Sequence, residues 1–218
     1  MRGYLWPLLC LSLIPAFDAE TRSAPPTSRI LCIGTSLTAG YGLDPEQAWP
    51  AFLQKKIDQE GLGYRVANAG VSGETSAGAL RRLDWLLREP TAVLVIETGA
   101  NDGLRGQDPA ATRANIQAIL DGARRQTPPP KLLLVGMAAP PNLGREYTDR
   151  FRAVFPELSK KNGVALVPFL LEGVAGVPRL NQADGIHPTA EGQRRVAENV
   201  WKVLRPMLLP AAPGSQKR

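Results

Sequence analysis

The 218-residue sequence is poor in the side chains that build metal and redox sites. It contains two cysteines, Cys10 and Cys32, and one histidine, His187. Two cysteines without a CxxC pair and a single histidine do not make a typical zinc site or a disulfide scaffold, so we expect neither a metal nor a cofactor. Any catalysis that requires an imidazole must use His187, because the chain has no second one.

The sequence also lacks the features of several other protein classes. No unit of about 20–50 residues repeats, which argues against a solenoid. The net charge of +6, from 26 basic and 20 acidic residues, is modest. The arginines are scattered rather than interleaved with aromatic residues, so the pattern does not favour a nucleic-acid partner. An apolar content of 44%, with 21 glycines and 20 prolines, is typical of one loop-rich globular domain.

The N-terminal segment differs from the rest of the chain. Arg2 is followed by the apolar run Leu5–Phe17, which is too short to span about 30 Å of hydrocarbon as a helix and is typical of a secretory signal. We predict a cleaved signal peptide and an exported protein, periplasmic or secreted, without stable membrane insertion; a retained anchor is the alternative. The predicted divisions are a signal peptide at 1–19, a disordered lead-in at 20–28, one domain at 29–209 and a flexible tail at 210–218.

Five short apolar runs alternate with segments of helical spacing. The runs lie at residues 29–33, 64–67, 92–97, 131–135 and 164–167. Continuously apolar strands that alternate with helices predict an α/β fold with a parallel sheet covered on both faces. The apolar stripe Tyr147–Leu158 predicts a helix that Pro156 should kink or interrupt. The last helix is predicted over Ala190–Leu208.

Polar, glycine-rich segments lie next to the predicted strand ends. Ser36 follows the first strand, Gly73 the second and Asn101 the third, while Asp184 and His187 precede the last helix. Each of these residues taken singly has an ordinary explanation as a turn or capping residue. Open parallel sheets bind ligands at the carboxyl ends of their strands, so we expect the five residues to meet at one edge and form a site.

The residue types match those of nucleophilic catalysis. A serine hydroxyl is a weak nucleophile and needs a base, and His187 is the only imidazole. Asp184 lies three residues earlier, so a tight turn can direct its carboxylate at the ring and fix the tautomer. The backbone N–H of Gly73 and the side-chain amide of Asn101 can form an oxyanion hole. Because an unperturbed histidine titrates near pH ~6.5, activity is expected to fall in acid.

Four sequence blocks together resemble a known family. They read I-G-T-S-L-T-A-G-Y-G at Ile33–Gly42, N-A-G-V-S-G-E-T-S at Asn68–Ser76, G-A-N-D-G-L-R-G at Gly99–Gly106 and D-G-I-H-P at Asp184–Pro188. In this order they resemble the SGNH hydrolases, also called GDSL esterases/lipases, over roughly Arg29–Leu208. The A-W-P at Ala48–Pro50 is similar to the bacterial arylesterase, thioesterase and lysophospholipase subgroup.

The resemblance implies a fold, a reaction and roles for the candidate residues. The family fold is a three-layer α/β/α sandwich with a flavodoxin-like sheet, and the reaction is the cleavage of carboxylic esters or thioesters. By the motifs, Ser36 would be the nucleophile, and its backbone N–H the third oxyanion donor beside Gly73 and Asn101. Asp184 and His187 would be the acid and the base of the triad.

One residue departs from the family pattern. Thr35 precedes the serine where the family usually has aspartate. That aspartate is not the triad acid, but its replacement could loosen the nucleophile turn or shift the pH optimum. A catalytically weakened or inactive binding protein with this fold is therefore the alternative function. Two other classes are disfavoured, because the chain has neither a Gly-x-Ser-x-Gly pentapeptide nor a GxxxxGK[ST] loop.

The substrate is predicted only by class. Tyr41, Leu43 and the loop 138–147, including Pro140, are expected to line the pocket. Small acyl esters, acyl thioesters and lysolipids all remain open, although export would disfavour cytosolic acyl-CoA. We expect the protein to be a monomer.

Overall fold

The computed structural model describes residues 28–210, which form alternating strands and helices. The strands are β1 Ser28–Gly34, β2 Tyr64–Gly70, β3 Val93–Glu97, β4 Lys131–Val135 and β5 Ala165–Val167. The helices are α1 Ser36–Ala39, α2 Trp49–Gln59, α3 Ser76–Leu86, α4 Ala100–Leu104, α5 Pro109–Arg124, α6 Arg145–Asn162 and α7 Ala190–Leu208. Three short 3₁₀ turns lie at Pro45–Gln47, Pro141–Leu143 and Pro178–Leu180.

The five strands form one parallel sheet in the order β2-β1-β3-β4-β5. Helix α2 packs against α7, and α5 packs against both α3 and α6, so the helices form a layer on each face of the sheet. The predicted α/β/α sandwich is therefore confirmed. The central strands β1, β3 and β4 are mostly apolar without alternation because both faces are covered, and all five residues of β3 are buried. The edge strand β2 is only partly buried.

The strand order places the chain's polar turns at one edge of the sheet. The chain moves from β1 to β2 on one side and then crosses to β3 on the other, so the order reverses between β1 and β3. Ile33 pairs with both Ala69 and Ile96, which means that β1, β2 and β3 end at the same level. Such a switch point is where open α/β sheets bind ligands. We call this edge the catalytic edge, because the candidate catalytic residues of the sequence analysis are expected there.

Two local expectations were wrong. Helix α6 is not interrupted at Pro156, because the exposed proline ring lies on the solvent side and the Arg152 carbonyl that loses its partner can bind water. Ser28, which was predicted to belong to the lead-in, begins β1 and pairs with Tyr64.

Several predictions fall outside the described residues. They concern the signal peptide 1–19, the remainder of the lead-in, and the tail beyond Pro210. Among the helices of residues 28–210, none is long and apolar enough to cross a membrane. Cys32 is a free thiol buried in β1, and burial raises its pKa.

Candidate active site

Ser36 lies two residues after the end of β1, at the start of the four-residue helix α1. Thr35 caps this helix, because its Oγ1 accepts a hydrogen bond from the backbone N–H of Leu37. The turn is too tight for a side chain at Gly34, where a Cβ would lie 2.0 Å from Oγ1 of Thr38. Only 9% of Ser36 is exposed. Strand and cap together hold its hydroxyl at the catalytic edge.

A buried carboxylate anchors the nucleophile turn from below. Glu97, at the end of β3, is fully buried and accepts hydrogen bonds from the backbone N–H of Thr35 at 2.7 Å and from Oγ1 of Thr38 at 2.8 Å. The Thr35 hydroxyl donates to the same carboxylate at 3.0 Å. Burial raises the pKa of Glu97, and these hydrogen bonds oppose that rise. Thr35 therefore ties the turn to β3.

His187 bridges Ser36 and Asp184. Its Nε2 lies 2.9 Å from Oγ of Ser36, and its Nδ1 lies 2.7 Å from Oδ2 of Asp184. The other oxygen of Asp184 accepts the backbone N–H groups of His187 and Ile186. The backbone and ring of His187, followed by the N–H of Ile186, stabilise the carboxylate and lower the pKa of Asp184 to about 2. Asp184 is thus an anion that can hold the proton of its partner ring on Nδ1.

Gln182 joins the turn that follows α1, the helix that begins with Ser36, to the loop that carries His187. Its Nε2 donates to the carbonyl of Tyr41 at 2.7 Å and to the carbonyl of Pro188 at 3.0 Å. Its backbone N–H donates to the carbonyl of His187 at 2.7 Å. These contacts fix the spacing between segments that are remote in sequence. Sequence reasoning missed Gln182, because nothing in its local pattern distinguishes it from an ordinary loop residue.

Asn101 and Gly73 are connected through Glu74, the residue that follows Gly73. Nδ2 of Asn101 donates to the carbonyl of Glu74 at 2.9 Å. The carboxylate of Glu74 pairs with Arg82 at 2.7 Å, and Arg105 donates to the carbonyl of Gly73 at 3.1 Å. Gly73 has φ of +78°, a conformation that favours glycine. The loop after β2 is therefore fastened to α3 and α4 at the catalytic edge.

An apolar cavity of about 310 Å³ opens beside Ser36 and Asn101. The predicted substrate residue Pro140 lines it. The predicted residue Tyr41 packs against the His187 ring instead, with the ring centroids 4.6 Å apart and the planes tilted by 38°. Leu43 is not on the cavity wall; its N–H closes the turn on the carbonyl of Gly40. Lining residues that sequence reasoning missed follow β4 and β5 or precede α7: Met137, Phe169, Leu171 and Ile186.

Two acidic residues near the site have structural partners. Asp102 is 1% exposed and accepts hydrogen bonds from the backbone and the hydroxyl of Ser76, which ties α4 to α3. Glu191 forms an ion pair with Arg179. Within residues 28–210 no group of three histidine, cysteine or acidic side chains could hold a metal ion.

Comparison with known proteins agrees with this arrangement. The sequence matches the model of the GDSL-like Lipase/Acylhydrolase family over residues 32–195. Esterase TesA of Pseudomonas aeruginosa is 48% identical over 180 residues, which cover 82% of this chain and 89% of that protein. The thioesterase 1/protease 1/lysophospholipase L1 of Escherichia coli is 39% identical over 190 residues, covering 86% of this chain and 88% of its own.

Solved structures extend the similarity to the fold. A crystal structure of TesA, 48% identical, superposes with a TM-score of 0.79 and covers 84% of this chain and all of that one. AlinE4, an SGNH-hydrolase family esterase, is 41% identical with a TM-score of 0.70 over 87% of this chain and all of its own. The chain belongs to the GDSL-like lipase/acylhydrolase family, the SGNH hydrolases.

Proposed function

We propose that this protein hydrolyses carboxylic esters and thioesters through a covalent acyl-enzyme on Ser36. The observation that carries the proposal is the chain of contacts from Oγ of Ser36 through both ring nitrogens of His187 to Asp184, at 2.9 Å and 2.7 Å. A hydroxyl with a hydrogen-bonded base, itself oriented by a carboxylate, is the arrangement that activates a serine.

The reaction begins with the attack of Oγ of Ser36 on the acyl carbonyl. Nε2 of His187 takes the hydroxyl proton and then gives it to the departing alcohol or thiol. Asp184 accepts a hydrogen bond from Nδ1–H of His187, which keeps Nε2 free as the base, and its negative charge stabilises the imidazolium that forms. Water then attacks the acyl-serine, with His187 again as the base. All these steps use groups of the chain itself.

Three donors are assigned to the oxyanion: the backbone N–H groups of Ser36 and Gly73 and the side-chain amide of Asn101. A side-chain amide has two N–H donors, and the carbonyl of Glu74 takes one from Asn101. The second is available to a substrate oxygen. The contact with Glu74 also holds the amide plane in place before substrate arrives, which is what makes such donors effective.

The apolar cavity beside Ser36 is proposed to hold the acyl group. Its walls are mostly apolar, so it suits an aliphatic or aromatic acyl chain rather than a polar one. The relatives named esterase, thioesterase and lysophospholipase support small acyl esters, thioesters and lysolipids as the substrate class. We further propose that the protein is exported, because the apolar run Leu5–Phe17 is typical of a secretory signal. We also propose that it acts as a monomer.

The proposal is tested with Ser36→Ala and, as the matched control, Ser28→Ala at the opposite end of β1. A fluorophosphonate probe should label the wild type and Ser28→Ala but not Ser36→Ala. Hydrolysis of p-nitrophenyl esters and of acyl thioesters should be lost only with Ser36→Ala. Full activity of Ser36→Ala would refute the assignment. A wild type that neither reacts with the probe nor hydrolyses esters would favour the binding-protein alternative.

A further inference from the structure

The charged residues divide between the two edges of the sheet. Helices α2, α3, α5 and α6 each end a few residues before the next strand begins, so their last turns lie at the edge where the strands start. The end of α7 lies there too, because Arg205 pairs with Glu60 and the hydroxyl of Tyr64 donates to the carbonyl of Leu208. We call this surface the basal face; it comprises residues 28–29, 56–65, 85–92, 121–131, 159–165 and 202–210.

The basal face is strongly positive and the catalytic edge is negative. The basal segments contain eleven lysines and arginines and four acidic residues, a net charge of +7. The segments at the catalytic edge, residues 34–50, 70–79, 98–112, 136–148 and 168–193, contain three arginines and nine acidic residues, a net charge of −6. The modest total charge therefore conceals a large separation of charge, because the positive basal face and the negative catalytic edge lie at opposite ends of the strands.

Many of the basal cations have no carboxylate partner. Five exposed cations of the basal face lie beyond ion-pair distance of every acidic group among the described residues: Arg88, Arg125, Lys160, Lys161 and Lys202. A hollow of about 640 Å³ on the same face is lined in part by Arg29, Arg65 and Arg88. Cations are favoured at helix C-termini, which explains their placement here, but their fields still add on a face where so many helices end.

An exposed tryptophan lies on the same face. Trp85, in the last turn of α3, is 63% exposed, whereas Trp49 and Trp201 are buried. It borders a small hollow together with Arg88. Indole rings prefer the headgroup level of a bilayer, where one end can be apolar and the other wet. The described chain also begins at this face, at Ser28, and the apolar run Leu5–Phe17 precedes it by eleven residues.

We propose that the basal face docks on an anionic phospholipid bilayer, with Trp85 at the headgroup level and the catalytic edge directed away from the lipid. Anionic lipid attracts basic residues near its surface, and the negative catalytic edge is repelled, so the charge separation sets the orientation as well as the affinity. A single-stranded nucleic acid would need a basic groove with a series of stacking aromatics, and this face has one exposed indole.

This orientation has a consequence for the substrate. The cavity at Ser36 opens at the catalytic edge, so docked enzyme would receive acyl substrates from the aqueous side rather than from the bilayer to which it is bound. Hydrolysis of a water-soluble ester should therefore proceed at the same rate whether the enzyme is docked or free.

The test measures binding of the protein, as recovered from cells and with its N-terminus identified by mass spectrometry, to two kinds of vesicle. One contains 30% phosphatidylglycerol in phosphatidylcholine and the other contains phosphatidylcholine alone. The ratio of the two partition coefficients isolates the electrostatic part of the binding from any contribution of a retained apolar segment. For the wild type this ratio should exceed 100 at about 0.05 M salt and should collapse at about 0.5 M, because salt screens the attraction.

Two variants of helix α6 with equal net charge separate position from charge. Lys160→Ala/Lys161→Ala removes two cations from the basal face, and Arg150→Ala/Arg152→Ala removes two exposed cations from the body of the same helix. At about fivefold per cation, the ratio should fall about 25-fold in the first variant and less than threefold in the second. Arg125→Ala/Lys202→Ala, on two other helices, should repeat the loss if a folding defect is suspected in the first.

Several results would overturn the proposal. They are a ratio near 1 for the wild type, equal losses in the basal and α6-body variants, and a change of tryptophan emission on vesicles that is as large in Trp85→Phe as in the wild type. Tighter binding to duplex DNA than to anionic vesicles would assign the face to nucleic acid instead. None of these readouts uses ester hydrolysis, so the proposed enzymatic function stands or falls separately.

Discussion

Replacing Gln182 by glutamate tests whether its hydrogen bonds to Tyr41 and Pro188 maintain the proposed reactive geometry of Ser36 and His187. The change keeps the size of the side chain but replaces its two N–H donors by a carboxylate oxygen that faces the carbonyls of Tyr41 and Pro188. Each hydrogen bond is worth about 0.5–1.5 kcal/mol net, so two contribute about 1–3 kcal/mol. If that energy holds Ser36 and His187 together in the transition state, its loss lowers kcat by about 5- to 150-fold.

We expect the loss to appear in kcat rather than in KM, because Gln182 does not line the acyl cavity. The rate of labelling by a fluorophosphonate should fall by the same factor, since it depends on the same nucleophile and base. The natural control is Gln117→Glu, on α5. Nε2 of Gln117 also donates two hydrogen bonds, to Asp121 at 2.9 Å and to Asn162 at 3.0 Å, and the residue is half-buried as Gln182 is.

The control separates positioning from stability. Both variants should lower the free energy of unfolding in urea, Gln117→Glu by at least as much because its new carboxylate faces that of Asp121. Only Gln182→Glu should slow labelling and turnover. If the two variants have kcat values and labelling rates within twofold of each other, the idea that Gln182 positions the catalytic loops is refuted.

Three further variants probe the other parts of the site. Asn101→Ala should lower kcat about 10²- to 10³-fold with little change in KM, measured on p-nitrophenyl acetate, because it removes the proposed oxyanion donor, a group typically worth about 2.7–4 kcal/mol. Asp184→Asn should lower kcat by about 10²–10⁴-fold. In the wild type the pKa of Asp184 is about 2, so its carboxylate loses its charge only as the pH falls toward that value. A pH–rate profile of the wild type from about pH 4 to 8 should therefore show no inflection from Asp184. Thr35→Val should lower the free energy of unfolding by about 1–3 kcal/mol, because it deprives buried Glu97 of a donor. Burial raises the pKa of Glu97, so its ionisation costs stability as the pH rises above about 4.3; urea titrations should show a larger loss for Thr35→Val at pH 8 than at pH 5.

Local patterns carried the prediction of the fold and of the candidate site. Continuously apolar runs identify strands that are buried on both faces, and their alternation with helical spacing is enough to specify a parallel sheet. The candidate residues could be selected because the carboxyl ends of such strands converge, and because one imidazole leaves no choice of base. The failure at Pro156 has another origin, because a local propensity does not include the tertiary packing of Phe151, Phe155 and Leu158 that stabilises the helix around the proline.

What the sequence by itself determined is the order of the elements, the edge at which they present polar residues and the chemical types gathered there. Only the tertiary structure decided how those groups are held and what surrounds them. Gln182 donates a hydrogen bond to Tyr41, which is 141 residues away in sequence, and Glu97 accepts one from Thr35, which is 62 residues away. Neither contact could be predicted from the residues next to Gln182 or Glu97. The cavity wall and the division of charge between the two edges likewise arise from segments that become adjacent only when the strands pair, because a local pattern reports burial and period but not which distant segment lies opposite.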